Sequence, residues 1–144
     1  MKNYSEKRVY SLNELDSIAD EVGKLFSKTS VLALYGPLGA GKTTLAQSVL
    51  AKRGVEGVIQ SPTFTYVMTY ESLDGTVYHH FDLYRLGSME DFFAAGFDEY
   101  LFQTGSKALI EWPEIISPLL EHDTCHIVLD YEGTVQRTIS YRCT

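Results

Sequence analysis

The sequence predicts an α/β three-layer sandwich around a mixed parallel and antiparallel sheet, in one domain spanning 1–144. Three observations carry this. Short apolar runs alternate with stretches of helical periodicity. A glycine-rich segment, Gly36-Pro37-Leu38-Gly39-Ala40-Gly41-Lys42-Thr43, joins one such run to a helix. Two hairpin signals, Leu73-Asp74-Gly75-Thr76 and Tyr131-Glu132-Gly133-Thr134, demand antiparallel neighbours and exclude an all-parallel sheet.

The elements follow in order. Ser11-Leu12-Asn13-Glu14 is a capping box. The helix behind it carries Leu15, Ile18, Ala19, Val22, Leu25 and Phe26 on one face. Val31-Leu32-Ala33-Leu34-Tyr35 is an apolar run of buried-strand length. Thr44 to Arg53 reads as a helix stopped by Gly54. Gln60-Ser61-Pro62-Thr63-Phe64 is a loop, followed by a strand at Thr65–Tyr70 and its return at Val77–Leu83. Ser88 starts a short helix, and Asp98 to Leu101 another. Lys107 to Glu111 is a buried strand, and Ile115 to Leu120 a helical patch broken by Pro118. Strands at His126–Asp130 and Val135–Tyr141 close the chain, and helices are expected on both faces of the sheet.

The glycine-rich segment fits G-x-x-x-x-G-K-[ST], the phosphate-binding loop of P-loop NTPases, in the strand-before, helix-after setting that the motif requires. Glycines let the backbone wrap closely around phosphates, and the helix N-terminus adds a favourable dipole. Lys42 would reach the β- and γ-phosphates, and the Thr43 hydroxyl would ligate Mg²⁺. Such a site needs an acid at the end of a neighbouring strand. Asp82, in His79-His80-Phe81-Asp82, and Glu111, in Ala108-Leu109-Ile110-Glu111, both end apolar runs.

Bulk properties narrow the function. At 144 residues the chain buries roughly two-thirds of its unfolded surface. No apolar run approaches the ~18 residues of a membrane helix. Met1 to Lys7 lacks a signal-peptide core, so a cytoplasmic protein is expected. The formal charge of −7 disfavours broad binding to nucleic acid, leaving Arg137 and Arg142 as a possible local basic patch. Asn3 and Asn13 are the only asparagines, so the guanine-reading N-K-x-D motif does not occur after the loop, and adenine is the expected base. Asp130-Tyr131-Glu132-Gly133 mimics the D-x-x-G of a GTPase switch but falls in a hairpin turn. Only Arg53, Arg85, Arg137 and Arg142 follow the loop, few for a small-molecule kinase that must clamp a second phosphorylated substrate.

Other residues read as structural. A hairpin centred on 131–134 pairs Cys125 with about residue 140 rather than with Cys143, so both cysteines are expected as free thiols. His79 and His80 face opposite sides of a strand and do not share a metal, and His122 and His126 are packing or surface groups. Tyr66, Tyr70, Tyr78 and Tyr84 are expected as cross-strand pairs in the hairpin.

Taken together, Gly36 to Thr44, Ser61-Pro62-Thr63-Phe64, His80-Phe81-Asp82-Leu83-Tyr84-Arg85 and Glu111-Trp112-Pro113 resemble the TsaE family over most of the chain. This is the small bacterial ATPase of tRNA threonylcarbamoyladenosine biosynthesis. The resemblance implies a P-loop NTPase core that binds ATP or ADP with Mg²⁺ and hydrolyses ATP slowly alone. It implies TsaB and TsaD as protein partners, with tRNA reached through their complex. It implies nucleotide contacts from Pro37, Leu38, Gly39, Ala40, Gly41, Lys42, Thr43 and Thr44, from Thr63 in a switch-like loop, and from Trp112. It further implies catalytic roles for Lys42, Asp82 and Glu111, with Thr43, Asp82 and Glu111 serving the metal. Pro37 stands where the family usually carries an acid; lacking an N–H, it stiffens the loop without adding a phosphate donor. The modest basic content of the C-terminus offers little for direct tRNA contact. Other functions for the same core are a small-molecule kinase or a nucleotide-sensing adaptor without catalysis.

Overall fold

Alternating burial sets the architecture of the computed structural model, which describes residues 3–144. Strands β1 (Arg8–Ser11), β2 (Val31–Tyr35), β3 (Val67–Glu71), β4 (Val77–Asp82), β5 (Ser106–Glu111), β6 (Thr124–Glu132) and β7 (Gln136–Cys143) form one sheet. Their order is β1-β7-β6-β2-β5-β4-β3. The central strands β6, β2, β5 and β4 are parallel, and antiparallel strands finish both ends. The central strands are the near-continuous apolar runs, as burial on both faces requires.

Helices α1 (Leu15–Phe26) and α2 (Lys42–Lys52) cover one face. Their Ile18, Val22, Phe26, Leu45 and Val49 pack on Leu32, Leu34, Leu109, Ile127 and Leu129. The other face carries the short α3 (Met89–Ala94) with 3₁₀ turns at Phe97–Tyr100 and Pro113–Leu119. There Phe81, Phe92, Ala33 and Ile110 form a second core layer. This is the expected three-layer sandwich. The Glu14 carboxylate accepts from the Ser11 amide at 3.1 Å, and the Ser88 hydroxyl accepts from the Asp91 amide at 3.1 Å, so both helix starts read from the sequence carry their caps. The signal-peptide reading of Met1 to Lys7 lies partly outside the described residues, since Met1 and Lys2 are not among them. No helix among the described residues is long and apolar enough to cross a membrane.

The C-terminal hairpin departs from expectation. Strand β6 runs on to Glu132, which pairs with Gln136, so the turn is Gly133-Thr134-Val135, with Gly133 at φ +64°. That later turn shifts every pair by three residues. Cys125 therefore faces Cys143, not residue 140, and the two are joined in a disulfide. The expectation of free thiols is corrected accordingly. The tyrosine expectation holds only for Tyr70 and Tyr78, which are register partners on β3 and β4. Tyr66 precedes β3 at φ +65°, and Tyr84 lies beyond β4, with its ring centroid 4.8 Å from that of Trp112.

Candidate functional site

The site forms where β2 ends and α2 begins. Between them the chain turns tightly past β6. A Cβ on Gly36, at φ +150°, would collide with the Leu129 carbonyl, so only glycine lets the loop leave the strand here. Gly41, at φ +100°, is the N-cap of α2 and points the first amides of that helix into the loop. The Ala40 amide donates to the Pro37 carbonyl at 3.1 Å, which closes the loop on itself.

Two acids meet this loop from neighbouring strands. β4 and β5 run parallel with Asp82 directly opposite Glu111, so the two carboxylates leave the sheet side by side. Glu111 is only 1% exposed. The Thr43 hydroxyl donates to its Oε1 at 2.6 Å, and His80 Nε2 lies 2.6 Å from its Oε2. An ionised carboxylate only accepts, so His80 donates through Nε2. A carboxylate this deep is costly unless its oxygens are satisfied, and these two contacts satisfy them.

Asp82 is 8% exposed and accepts the Tyr84 amide at 3.0 Å. Burial pushes its carboxyl above the ordinary range; the Tyr84 hydrogen bond opposes this, and the nearby Glu111 charge adds to it. Lys42 is 5% exposed. Its Nζ donates to the Gly36 carbonyl and sits 3.2 Å from the centre of the Trp112 ring. Burial lowers its pKa, with the acids Glu114, Glu111 and Asp82 opposing that shift. Trp112 holds this position at φ +55°, at the sharp turn from β5 into the 3₁₀ segment begun by Pro113.

The sign of the Asp82 shift makes a prediction. A carboxyl raised in the folded state stabilises below its unfolded pKa and loses that contribution as pH rises through the folded value. At neutral pH the charged Asp82 is therefore a cost. Asp82→Asn keeps an acceptor for Tyr84 and removes the charge. It is expected to raise the melting temperature at pH 7, with the gain fading towards about pH 4. Thermal melts at both pH values check this; a lower melting temperature at pH 7 would contradict it.

The residues picked from the sequence largely share one cleft of about 390 Å³. Leu38, Gly39, Gly41 and Thr44 line its loop side, with Lys42 and Thr43 at its floor. Thr63, Asp82, Glu111 and Trp112 line the opposing side. Ala40 is wholly buried beneath the loop, and Pro37 is exposed outside the lining. Thr63 shares a 2.8 Å hydrogen bond with Ser61, in a loop tied to β4 by the Asp82 amide and the Tyr66 carbonyl at 2.9 Å. The donor set is one hydroxyl and two carboxylates, all hard oxygens. That suits Mg²⁺, which takes few protein ligands and keeps its remaining positions for phosphate and water. Among the described residues no group of three or more His, Cys, Asp or Glu gathers as an all-protein metal cage.

Three participants escaped the sequence reading. His80, to which the sequence gives no role in the site, is fully buried against Glu111. Its signal was present: strand alternation puts Tyr78, His80 and Asp82 on one face. Tyr84 and Arg85 also line the cleft, and the Arg85 guanidinium lies 5.1 Å from the centre of the Phe64 ring. His79, on the opposite face, packs edge-on against Tyr100, and His126 lies 2.9 Å from the Tyr35 hydroxyl, both away from the cleft as expected.

The family model described as "Threonylcarbamoyl adenosine biosynthesis protein TsaE" matches residues 9–139. A Treponema pallidum protein named tRNA threonylcarbamoyladenosine biosynthesis protein TsaE is 39% identical over 108 residues, covering 75% of this chain and 78% of that one. A Bacillus subtilis protein of the same name is 33% identical over 136 residues, covering 93% of this chain and 82% of its own. The crystal structure of Bacillus subtilis YdiB superposes with a TM-score of 0.74 at 30% identity, covering 98% of this chain and 86% of that one.

Proposed function

The chain belongs to the TsaE family, and on that premise we propose that it is the ATP-hydrolysing component of tRNA threonylcarbamoyladenosine biosynthesis. The observation that carries this reading is the convergence of Lys42, Thr43, Asp82 and Glu111 on one cleft at the N-terminus of α2. Loop amides and the Lys42 ammonium bind the phosphates. Thr43 and the two carboxylates would hold Mg²⁺. When bound, that ion neutralises charge developing on the phosphate oxygens.

The protein's own residues supply the rest. Thr43 is hydrogen-bonded to Glu111, so hydroxyl and carboxylate are aligned before nucleotide arrives. His80 fixes the far oxygen of Glu111 and so sets the direction of the near one. Asp82, one strand over, would orient the attacking water. Thr63 and its loop lie across the cleft, where they would meet the terminal phosphate. Hydrolysis by the isolated chain is slow in this reading, because few positive groups face the transferring phosphoryl. TsaB and TsaD are the protein partners, and their joint enzyme transfers the threonylcarbamoyl group to tRNA. The ATPase cycle of this chain resets that complex, and tRNA is reached through it.

A reconstituted modification assay tests the proposal. With TsaB, TsaD, tRNA and a threonylcarbamoyl donor present, adding this chain and ATP should sustain many rounds of threonylcarbamoyladenosine formation. Equal yields without the chain, or with its Glu111→Ala variant, would overturn it.

A further inference from the structure

The sheet carries a polar cavity on the face away from α1 and α2, beside the second core layer. Ala33, which lies in that layer, is the register partner of His126 on β6. His126 is in turn the partner of Arg142 on β7. Alternation puts Tyr35 on the same face of β2 as Ala33. Tyr35, His126 and Arg142 thereby line one cavity of about 560 Å³, together with Ser117 and Leu120 from the end of the 3₁₀ segment. We propose that this cavity binds a small phosphate monoester, its phosphate held between Arg142 and His126.

The donors here lack protein acceptors. His126 is 4% exposed, and its Nε2 has no hydrogen-bond partner among the described residues. Its Nδ1 lies 2.9 Å from the Tyr35 hydroxyl, whose pKa burial pushes up to about 12, so that hydroxyl keeps its proton. With Tyr35 donating to Nδ1, the ring proton sits on Nε2. The Leu120 carbonyl favours the charged ring but makes no hydrogen bond of normal geometry with Nε2. A buried donor left in this state costs the fold free energy. The ion pairs among the described residues leave Arg142 out. Its guanidinium lies 5.3 Å from the centre of the Tyr4 ring. Two cationic groups directly opposite on adjacent strands disfavour each other. Burial first, and then the Arg142 charge, hold the His126 ring below its ordinary pKa. An anion between the two removes both costs at once.

The lining selects the anion. Arg142 presents a planar fork that fits phosphate oxygens in pairs. His126 adds a further donor, and the Ser117 hydroxyl another. Glu121, which is exposed, is the one carboxylate side chain in the lining. It repels a second anionic group and accepts from hydroxyls, so the other half of the ester is neutral and hydroxylated, of the sugar or polyol kind. The cavity is larger than the P-loop cleft of about 390 Å³, which leaves room for that half beside the phosphate. The formal charge of −7 argues against a nucleic-acid backbone as the source of the phosphate. The cavity shares no lining residue with the P-loop cleft, although Tyr35 directly precedes Gly36 in the chain.

The test follows the histidine rings by NMR. Protein in saturating ADP and Mg²⁺, which occupy the P-loop cleft, is titrated with glycerol 3-phosphate. The His126 ring nitrogens should shift saturably, and those of His79 and His80, which lie elsewhere, should not. Arg142→Gln should weaken the titration by at least about tenfold, the usual loss when a charged hydrogen-bond partner is removed. Arg142→Lys should recover part of that loss. Should Arg142→Gln fail to fold, the wild-type titration still decides whether the cavity binds. An unmoved His126, a shift at His80 in its place, or unchanged affinity in folded Arg142→Gln would overturn the site. Equal affinity for acetate would overturn the choice of phosphate. A shift produced by tRNA and not by glycerol 3-phosphate would overturn the choice of a small ligand.

Discussion

Lys42→Ala is expected nearly to abolish ATP binding while leaving the fold intact. The side chain is 5% exposed, yet its contacts are one backbone carbonyl and the face of one indole. Burial already lowers its pKa, so its charge is no asset to the folded state. Its worth lies with the ligand. A triphosphate brought into the cleft would face the loop amides without the Lys42 ammonium beside them. Truncating one partner of a buried, hydrogen-bonded charge pair costs ~3 kcal/mol or more, on the order of a hundredfold in affinity. Calorimetric titration with ATP and Mg²⁺, beside a thermal melt, reads both halves of the expectation. Wild-type affinity in a folded variant would sink the P-loop assignment.

Glu111→Ala and Asp82→Ala are expected to separate binding from turnover. Loop amides and Lys42 supply most of the ground-state grip on phosphate. The two acids act where charge and water must be placed in the transition state. ADP affinity should therefore stay within about tenfold, ~1.4 kcal/mol. ATP turnover should fall by ~10²–10³, the usual loss for one oriented electrostatic group. Glu111 carries the heavier expectation, because Thr43 and His80 both hydrogen-bond its carboxylate. Its removal leaves a buried imidazole without that partner, so Glu111→Gln is the gentler control. Single-turnover hydrolysis with the partner complex present is the measurement. Near wild-type turnover in either variant would make that residue a structural acid.

These expectations rest on residues that local patterns brought out. The glycine loop, the apolar run before it and the helix after it are contiguous, so one short motif positions Lys42 and Thr43 without any long-range contact. Asp82 and Glu111 were visible as acids at the ends of apolar runs. That they stand face to face was not, because it depends on β4 and β5 being neighbours in register, across 29 residues of chain. Pairing at a distance also explains what was missed. Strand β1 has four residues and owes its existence to β7, more than a hundred positions away. The Cys125–Cys143 link turned on whether the last hairpin closes at 131–134 or at 133–135, a shift that moves every partner along the strand. The role of His80 stayed hidden because alternation says which face a residue takes, not what stands opposite it. Here that is Glu111, from the next strand.

The central claim is that this cleft turns over ATP under the control of the modification complex. The most direct test is the rate of ATP hydrolysis by the purified chain, measured alone and with added TsaB–TsaD. The account predicts slow turnover alone and strong stimulation by the complex, both lost in Lys42→Ala. Turnover that the complex leaves unchanged, or that survives in Lys42→Ala, would contradict it.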